Sequence, residues 1–221
     1  MSATWNEVRK CLLESQEAER QRLAQELHDG PVQELHSLDF DLVAFGRTLP
    51  DGQAREHWAT MRSTLLSISR QLRVICQNLR PPALGPFGLS AVLHSSAENF
   101  AQQFPSIKVE LDVAEDGLVL PPSVRLTFYR ICQEALRNIA QHAEAQRVRI
   151  QLTLAEDTVA MVIGDDGRGF TVPPSWIEWA SAGKLGLFQC TQYAEAINGN
   201  LQVQSTPGQG VRVLVNAPLA Q

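Results

Sequence analysis

Residues 19–45 read ERQRLAQELHDGPVQELHSLDFDLVAF, and the spacing of their apolar positions decides the first half of the fold. Ala24, His28, Pro31, Leu35, Leu38, Leu42 and Phe45 recur at alternating steps of four and three. That is the seam of a helical bundle, and Leu23 and Leu27 broaden it into a wider apolar face. The interruption is Gly30-Pro31, where a missing N–H and a crowded preceding turn predict a kink. Leu49-Pro50-Asp51-Gly52 reads as a turn. Trp58, Met61, Leu65, Ile68, Leu72, Ile75 and Leu79 then form a second stripe at steps of three or four. Two amphipathic helices joined by a tight turn make an antiparallel hairpin. A lone hairpin leaves its apolar face uncovered, so the expectation is a homodimer whose two hairpins close a four-helix bundle.

Working outward, Arg80-Pro81-Pro82-Ala83-Leu84-Gly85-Pro86 cannot continue a helix and marks a domain junction. The expected organisation is a dimerisation domain over 1–80, a proline-containing linker over 81–87 and a second domain over 88–221. The second half mixes patterns. Leu89 to Phe104, Ser123 to His142 and Leu185 to Ile197 read as helices, and residues 107–113, 148–154, 159–163, 201–204 and 211–215 as strands. This predicts an α/β sandwich with helices on one face of a sheet, so the whole chain is α plus α/β.

Composition sets bounds. Of 221 residues, 44% are hydrophobic and 19% charged, enough apolar material for a packed core. A net charge of −5 argues against a nucleic-acid surface, which needs clustered Lys and Arg. Four cysteines without a CxxC pair read as apolar residues of a reducing compartment. No apolar run is long enough for a membrane span, and MSATWNEVRK lacks a signal peptide's hydrophobic stretch, so a cytoplasmic protein is expected.

Four constellations carry chemistry. In Glu26-Leu27-His28-Asp29-Gly30-Pro31-Val32-Gln33, an imidazole stands beside a carboxylate that can orient it and take its ring proton. Gln33 lies four residues beyond Asp29, in reach of a water or phosphoryl oxygen. On spacing alone the histidine reads first as a structural member of the seam, since Leu35 and Leu42 follow it at seven-residue steps. Glu134, Asn138 and His142, spaced by four, line one helix face and suit either solvent or magnesium, which takes oxygen ligands. Ile163-Gly164-Asp165-Asp166-Gly167-Arg168-Gly169-Phe170 follows a strand. Asp165 there can accept the exocyclic amine of adenine, though Asp-Gly also simply marks turns. Gly183-Lys184-Leu185-Gly186-Leu187 opens a helix whose N–H groups can face a phosphate.

In this order, the last three motifs resemble the ATP-binding fold shared by histidine kinases, gyrase, Hsp90 and MutL (the Bergerat or GHKL fold). ERQRLAQELHDGPVQ, LRPPALGPFGL and STPGQGVRVLVNAPL resemble one subfamily of two-component sensor histidine kinases, whose members usually partner LuxR/NarL-type response regulators. The resemblance runs from Glu19 to Leu219 and implies roles. His28 is then the phosphoacceptor, Asp29 its acid/base partner, and Gln33 the group that positions water for dephosphorylating the regulator. Asn138 coordinates magnesium with support from Glu134, and Asp165 recognises adenine in a pocket shaped by Gly167 and Gly169. Gly183, Gly186 and Leu187 close the phosphate end, with Lys184 and His142 as further contacts. ATP and magnesium are the implied cofactors.

Two positions depart from the family. Val211 stands where Thr is common, which leaves room for a catalytically weak member acting mainly as a phosphatase or scaffold. The loop from Thr171 to Ala182 carries the bulky Trp176 and Trp179. A GHKL-type ATPase without a phosphohistidine is the other alternative, but it has no use for Asp29 and Gln33 behind His28.

Overall fold

Where the sequence predicts a kink, the chain takes a wider turn. The structure, a computed structural model, describes residues 2–79, 84–117, 119–173, 178–179 and 185–219, with side chains at residue 8 and from residue 11 on. Helix α1 (Ser2–Leu27) enters a π-helical turn, His28–Val32, and leaves it as α2 (Gln33–Gly46). Pro31 has no N–H to donate to the carbonyl four residues back. The backbone accommodates this by fitting one more residue into the turn, as π turns do.

That extra residue rotates everything around it. Helix α3 (Gln53–Leu79) folds back along α1 and α2, burying Leu65 and Ser69. Against it, the seam runs through Ala24 and then Val32, with Leu35, Asp39, Leu42 and Gly46 following. Arg62 pairs with Asp39 (Nε–Oδ1 2.8 Å), and the Trp58 indole donates to the Leu42 carbonyl at 2.8 Å. Gly46 lies flat on that indole, where a Cβ would collide with the ring. His28 is pushed out of the seam, and its side chain is 64% exposed. Within the hairpin, the place that the spacing gives to Pro31 is taken by Val32, which is 2% exposed. Leu38, Phe45, Met61, Ile68 and Ile75 of the predicted stripes are also exposed on the single hairpin.

The chain divides into two compact units, 1–82 and 83–221. In the second, α4 (Gly88–Gln103), β1 (Lys108–Val113), α5 (Pro122–Asn138), β2 (Arg147–Leu154), β3 (Thr158–Asp165), α6 (Leu185–Ala196), β4 (Asn200–Ser205) and β5 (Val211–Pro218) follow in order. The sheet order is β1-β2-β3-β5-β4; β1 and β2 are parallel and every other pair antiparallel. Alternate residues face the helices: Val148, Ile150 and Leu152 on β2, Val159, Met161 and Ile163 on β3, and Val213, Val215 and Ala217 on β5 are buried. The register pairs Ile150 with Ile163 and Ile163 with Val213, so one apolar layer meets Phe128 and Ile131 of α5. Each fully buried side chain of this kind contributes about 1.5–3 kcal/mol.

Two buried charges tie down the start of this unit. Asp116 is 1% exposed and accepts the Leu89 and Ser90 N–H groups (2.9 and 3.1 Å), satisfying the first turn of α4 from another loop. Gly88 has φ +83 and no room for a Cβ against that carboxylate. Arg125, near the start of α5, donates to the carbonyls of Leu84 and Gly85 at 2.9 and 3.1 Å.

Candidate functional site

On the first unit, the π turn presents His28 and Asp29 side by side to solvent. Nδ1 of His28 lies 3.0 Å from Oδ1 of Asp29. An ionised carboxylate only accepts, so the ring nitrogen facing it carries the proton. The lone pair then resides on Nε2, on the far side of the ring. This is the tautomer that a nucleophilic imidazole needs. Gln33 follows immediately after the turn, its N–H bonded to the Gly30 carbonyl and its side chain exposed.

On the second unit, alternation along β3 carries the inward-facing row Val159, Met161, Ile163 on to Asp165 at the strand end. A cavity of about 570 Å³ opens there. Its wall includes Glu134, Asn138 and His142 from the α5 segment, Asp165 and Gly169 from the loop after β3, and Gly186 and Leu187 from α6. Seven of the singled-out residues, on three separate elements, thus meet around one space. Gly167 lies just behind it. Gly183, Lys184 and Trp176 fall outside the described residues.

Helix α5 widens into a second π turn, Ile139–Ala143, capped by Glu144 in the left-handed region (φ 54). This turn receives the loop: Arg168 N–H donates to the Ala143 carbonyl at 2.8 Å, and a Cβ on Gly167 would strike that same carbonyl. The loop is held from the other side by the β4–β5 hairpin. Ser205 Oγ accepts the Phe170 N–H (2.8 Å) and donates to the Gly210 carbonyl (2.9 Å). Gly169 and Gly210, at φ +57 and +73, each face backbone where a Cβ would stand. In the sequence Ser205 and Gly210 are only part of the stretch STPGQGVRVLVNAPL; their contact with the Asp165 loop is a tertiary fact.

Asp165 accepts the Gly167 N–H at 2.8 Å and also that of Val211. Burial pushes its carboxyl above the ordinary aspartate value. The two N–H bonds oppose the rise and the neighbouring Asp166 adds to it. The Val211 backbone supports Asp165 whatever the side chain at that position. Asn138 Nδ2 donates to Glu134 Oε1 at 3.1 Å, and Arg137 holds both Glu134 oxygens at 2.6 and 2.8 Å. A carboxamide and a carboxylate fit a magnesium ion whose remaining ligands are phosphate oxygens and water. Arg137 also stands on the cavity wall, and the sequence reading missed it. The available signal was its three-residue offset from Glu134, a helical ion-pair spacing.

Trp179 is 2% exposed, edge-on to Phe170 with centroids 5.9 Å apart, and its indole N–H donates to the Pro173 carbonyl at 3.1 Å. Phe170 in turn lines the cavity. All four cysteines are free, and Cys132 and Cys190 are buried. Among the described residues no helix is long and apolar enough to cross a membrane.

Comparison with known proteins bears on both units. Residues 19–84 match the family model described as histidine kinase, and residues 123–221 the one described as histidine kinase-, DNA gyrase B- and HSP90-like ATPase. The signal transduction histidine-protein kinase/phosphatase DegS of Brevibacillus brevis is 26% identical over 94% of this chain and 53% of its own length. The oxygen sensor histidine kinase NreB of Staphylococcus carnosus is 27% identical over 94% of this chain and 58% of its own. UhpB of Salmonella typhimurium, a histidine-protein kinase/phosphatase, is 29% identical over 94% and 40%. The chain therefore spans about half the length of the curated relatives it matches. Among solved structures, the histidine kinase domain of a blue-light activated kinase from Erythrobacter litoralis shares the fold. Its TM-score is 0.54 at 19% identity, over 86% of this chain and 95% of that one. Matched in order by a histidine-kinase segment and a histidine kinase-like ATPase segment over residues 19–84 and 123–221, the chain belongs to the histidine kinases.

Proposed function

We propose that this chain is the catalytic core of a two-component sensor histidine kinase that transfers the γ-phosphoryl group of ATP to His28. The observation that carries the reading is the 3.0 Å bond between Nδ1 of the exposed His28 and Asp29. Asp29 fixes the tautomer, so Nε2 meets phosphorus with its lone pair, and the carboxylate stabilises the positive charge that develops on the ring. ADP is the leaving group. In the cavity, Asp165 accepts the adenine amine while Gly167 and Gly169 let backbone approach the base. Asn138, supported by Glu134, holds magnesium, which when bound screens the charge of the polyphosphate. Gly186, Leu187 and His142 on the cavity wall face the phosphates, and the other two proposed phosphate contacts, Gly183 and Lys184, lie outside the described residues. Transfer requires the second unit to reach His28, with the junction at 81–87 as the place where the chain bends.

The exposed apolar residues Leu38, Phe45, Met61, Ile68 and Ile75 support a homodimer that closes a four-helix bundle. From His28 the phosphoryl group passes to an aspartate of a response regulator of LuxR/NarL type in the cytoplasm. Gln33, one turn beyond His28, orients the water that later removes it, and a Gln33→Ala variant is expected to lose that phosphatase activity. Incubation with γ-labelled ATP and magnesium tests the core of the reading. Acid-labile, alkali-stable label is expected on the wild type and not on His28→Gln. Label of equal strength on both proteins would remove His28 from the mechanism.

A further inference from the structure

Arg137 has no part in the roles assigned above, yet it stands where Glu134 meets Gly186 on the cavity wall, the end read above as the phosphate side. Its guanidinium binds both oxygens of Glu134, at 2.6 and 2.8 Å, and stands on the cavity wall. Its Nη2 lies 3.1 Å from where a Cβ on Gly186 would sit, against the first turn of α6. Its side chain is 59% exposed, whereas that of Glu134 is only 16% exposed.

A half-buried carboxylate at this end of the cavity repels a polyphosphate unless a cation stands beside it. Arg137 is that cation, and it has donors to spare. A guanidinium carries five N–H groups in a fixed fork, so it can keep one edge on Glu134 and turn another toward a phosphate oxygen. Its exposure lets the arm swing without unpacking the core. Arg168, also on the wall, belongs to the Asp165 loop and pairs instead with Glu144 at 3.4 Å.

We infer that Arg137 binds the polyphosphate of the nucleotide directly and selects the charged tail over the bare nucleoside. This rests on the reading of the cavity as an ATP site. The test is calorimetric titration of the whole chain with ATP and with adenosine, in EDTA so that a metal role of Glu134 does not enter. Wild type, Arg137→Gln, Glu134→Gln and the double variant are compared. Arg137→Gln is expected to weaken ATP roughly tenfold or more and to leave adenosine unchanged, adenosine binding also reporting an intact fold. The double variant is expected to bind ATP more weakly than Glu134→Gln by a similar factor. If the double variant instead binds ATP as well as Glu134→Gln does, Arg137 merely neutralises Glu134 and the proposal is overturned. Equal weakening of ATP and adenosine overturns it too. Wild-type protein that binds adenosine but gains nothing from the phosphates overturns it as well, while wild type that binds neither ligand removes the nucleotide reading beneath it.

Discussion

Replacing Asp165 by Asn separates binding from stability at the base end of the cavity. The carboxylate already serves two fixed donors, the N–H groups of Gly167 and Val211, and is proposed to take the adenine amine as a third. Asn keeps one acceptor oxygen and turns an NH₂ toward whatever the other oxygen served. Losing a hydrogen bond to a charged acceptor costs about 1.5–3 kcal/mol, and an amine left facing another donor about 1–3 kcal/mol more. The low end of that sum, about 2.5 kcal/mol, is roughly sixtyfold in Kd. Stability should move little or upward. Burial raises the folded pKa of Asp165 above its unfolded value, so the folded state binds the proton more tightly. Ionisation of Asp165 therefore removes stability as pH rises, and a neutral Asn forgoes that loss. Calorimetric titration with ATP and urea unfolding, both near pH 7, measure the two effects. An Asn variant that binds ATP as tightly as wild type would refute the adenine role. One that unfolds at much lower urea would show that the charge holds the loop together instead.

The same carboxyl predicts a pH dependence. Because its pKa is raised, ATP affinity of the wild type should decline on acidification at a higher pH than an ordinary aspartate gives, and the Asn variant should lack that decline. Asp116→Ala strands two buried N–H groups of α4 and should destabilise the second unit by roughly 3 kcal/mol in urea; a loss under about 1 kcal/mol contradicts the capping argument. Gly210→Ala forces a Cβ into the Asp165 carbonyl at φ +73, costing about 1–3 kcal/mol of stability and weakening ATP binding along with it. Gly30 has open space around its missing Cβ, so Gly30→Ala should raise the melting temperature of the hairpin by an amount worth about 0.5–1 kcal/mol.

Much of the fold was legible because its signals are local. Apolar spacing is set by 3.6 residues per helical turn and two per strand, so α3, α5 and the β2–β3 and β4–β5 pairs could be read from their own residues. The same holds for the candidate site where one element carries the pattern: Glu134 and Asn138, four apart on α5, do hydrogen-bond to each other. The π turn was not legible. It reconciles the missing N–H of Pro31 with a continuous helix and moves the buried position from Pro31 to Val32, and periodicity assumes a helix without insertions. Also hidden were contacts between residues far apart in the chain: Asp116 on the first turn of α4, Ser205 and Gly210 bracing the Asp165 loop, Trp179 on Phe170, and Arg137 beneath Gly186. The bracing of the Asp165 loop depends on the sheet order β1-β2-β3-β5-β4, which brings β5 beside β3 although α6 and β4 lie between them in the chain. The sequence by itself determined which residues are candidates for chemistry and, for most of them, on which element they lie. The tertiary structure decided which of them meet, because a cavity forms only where separate elements pack, and their packing depends on contacts that no single stretch contains.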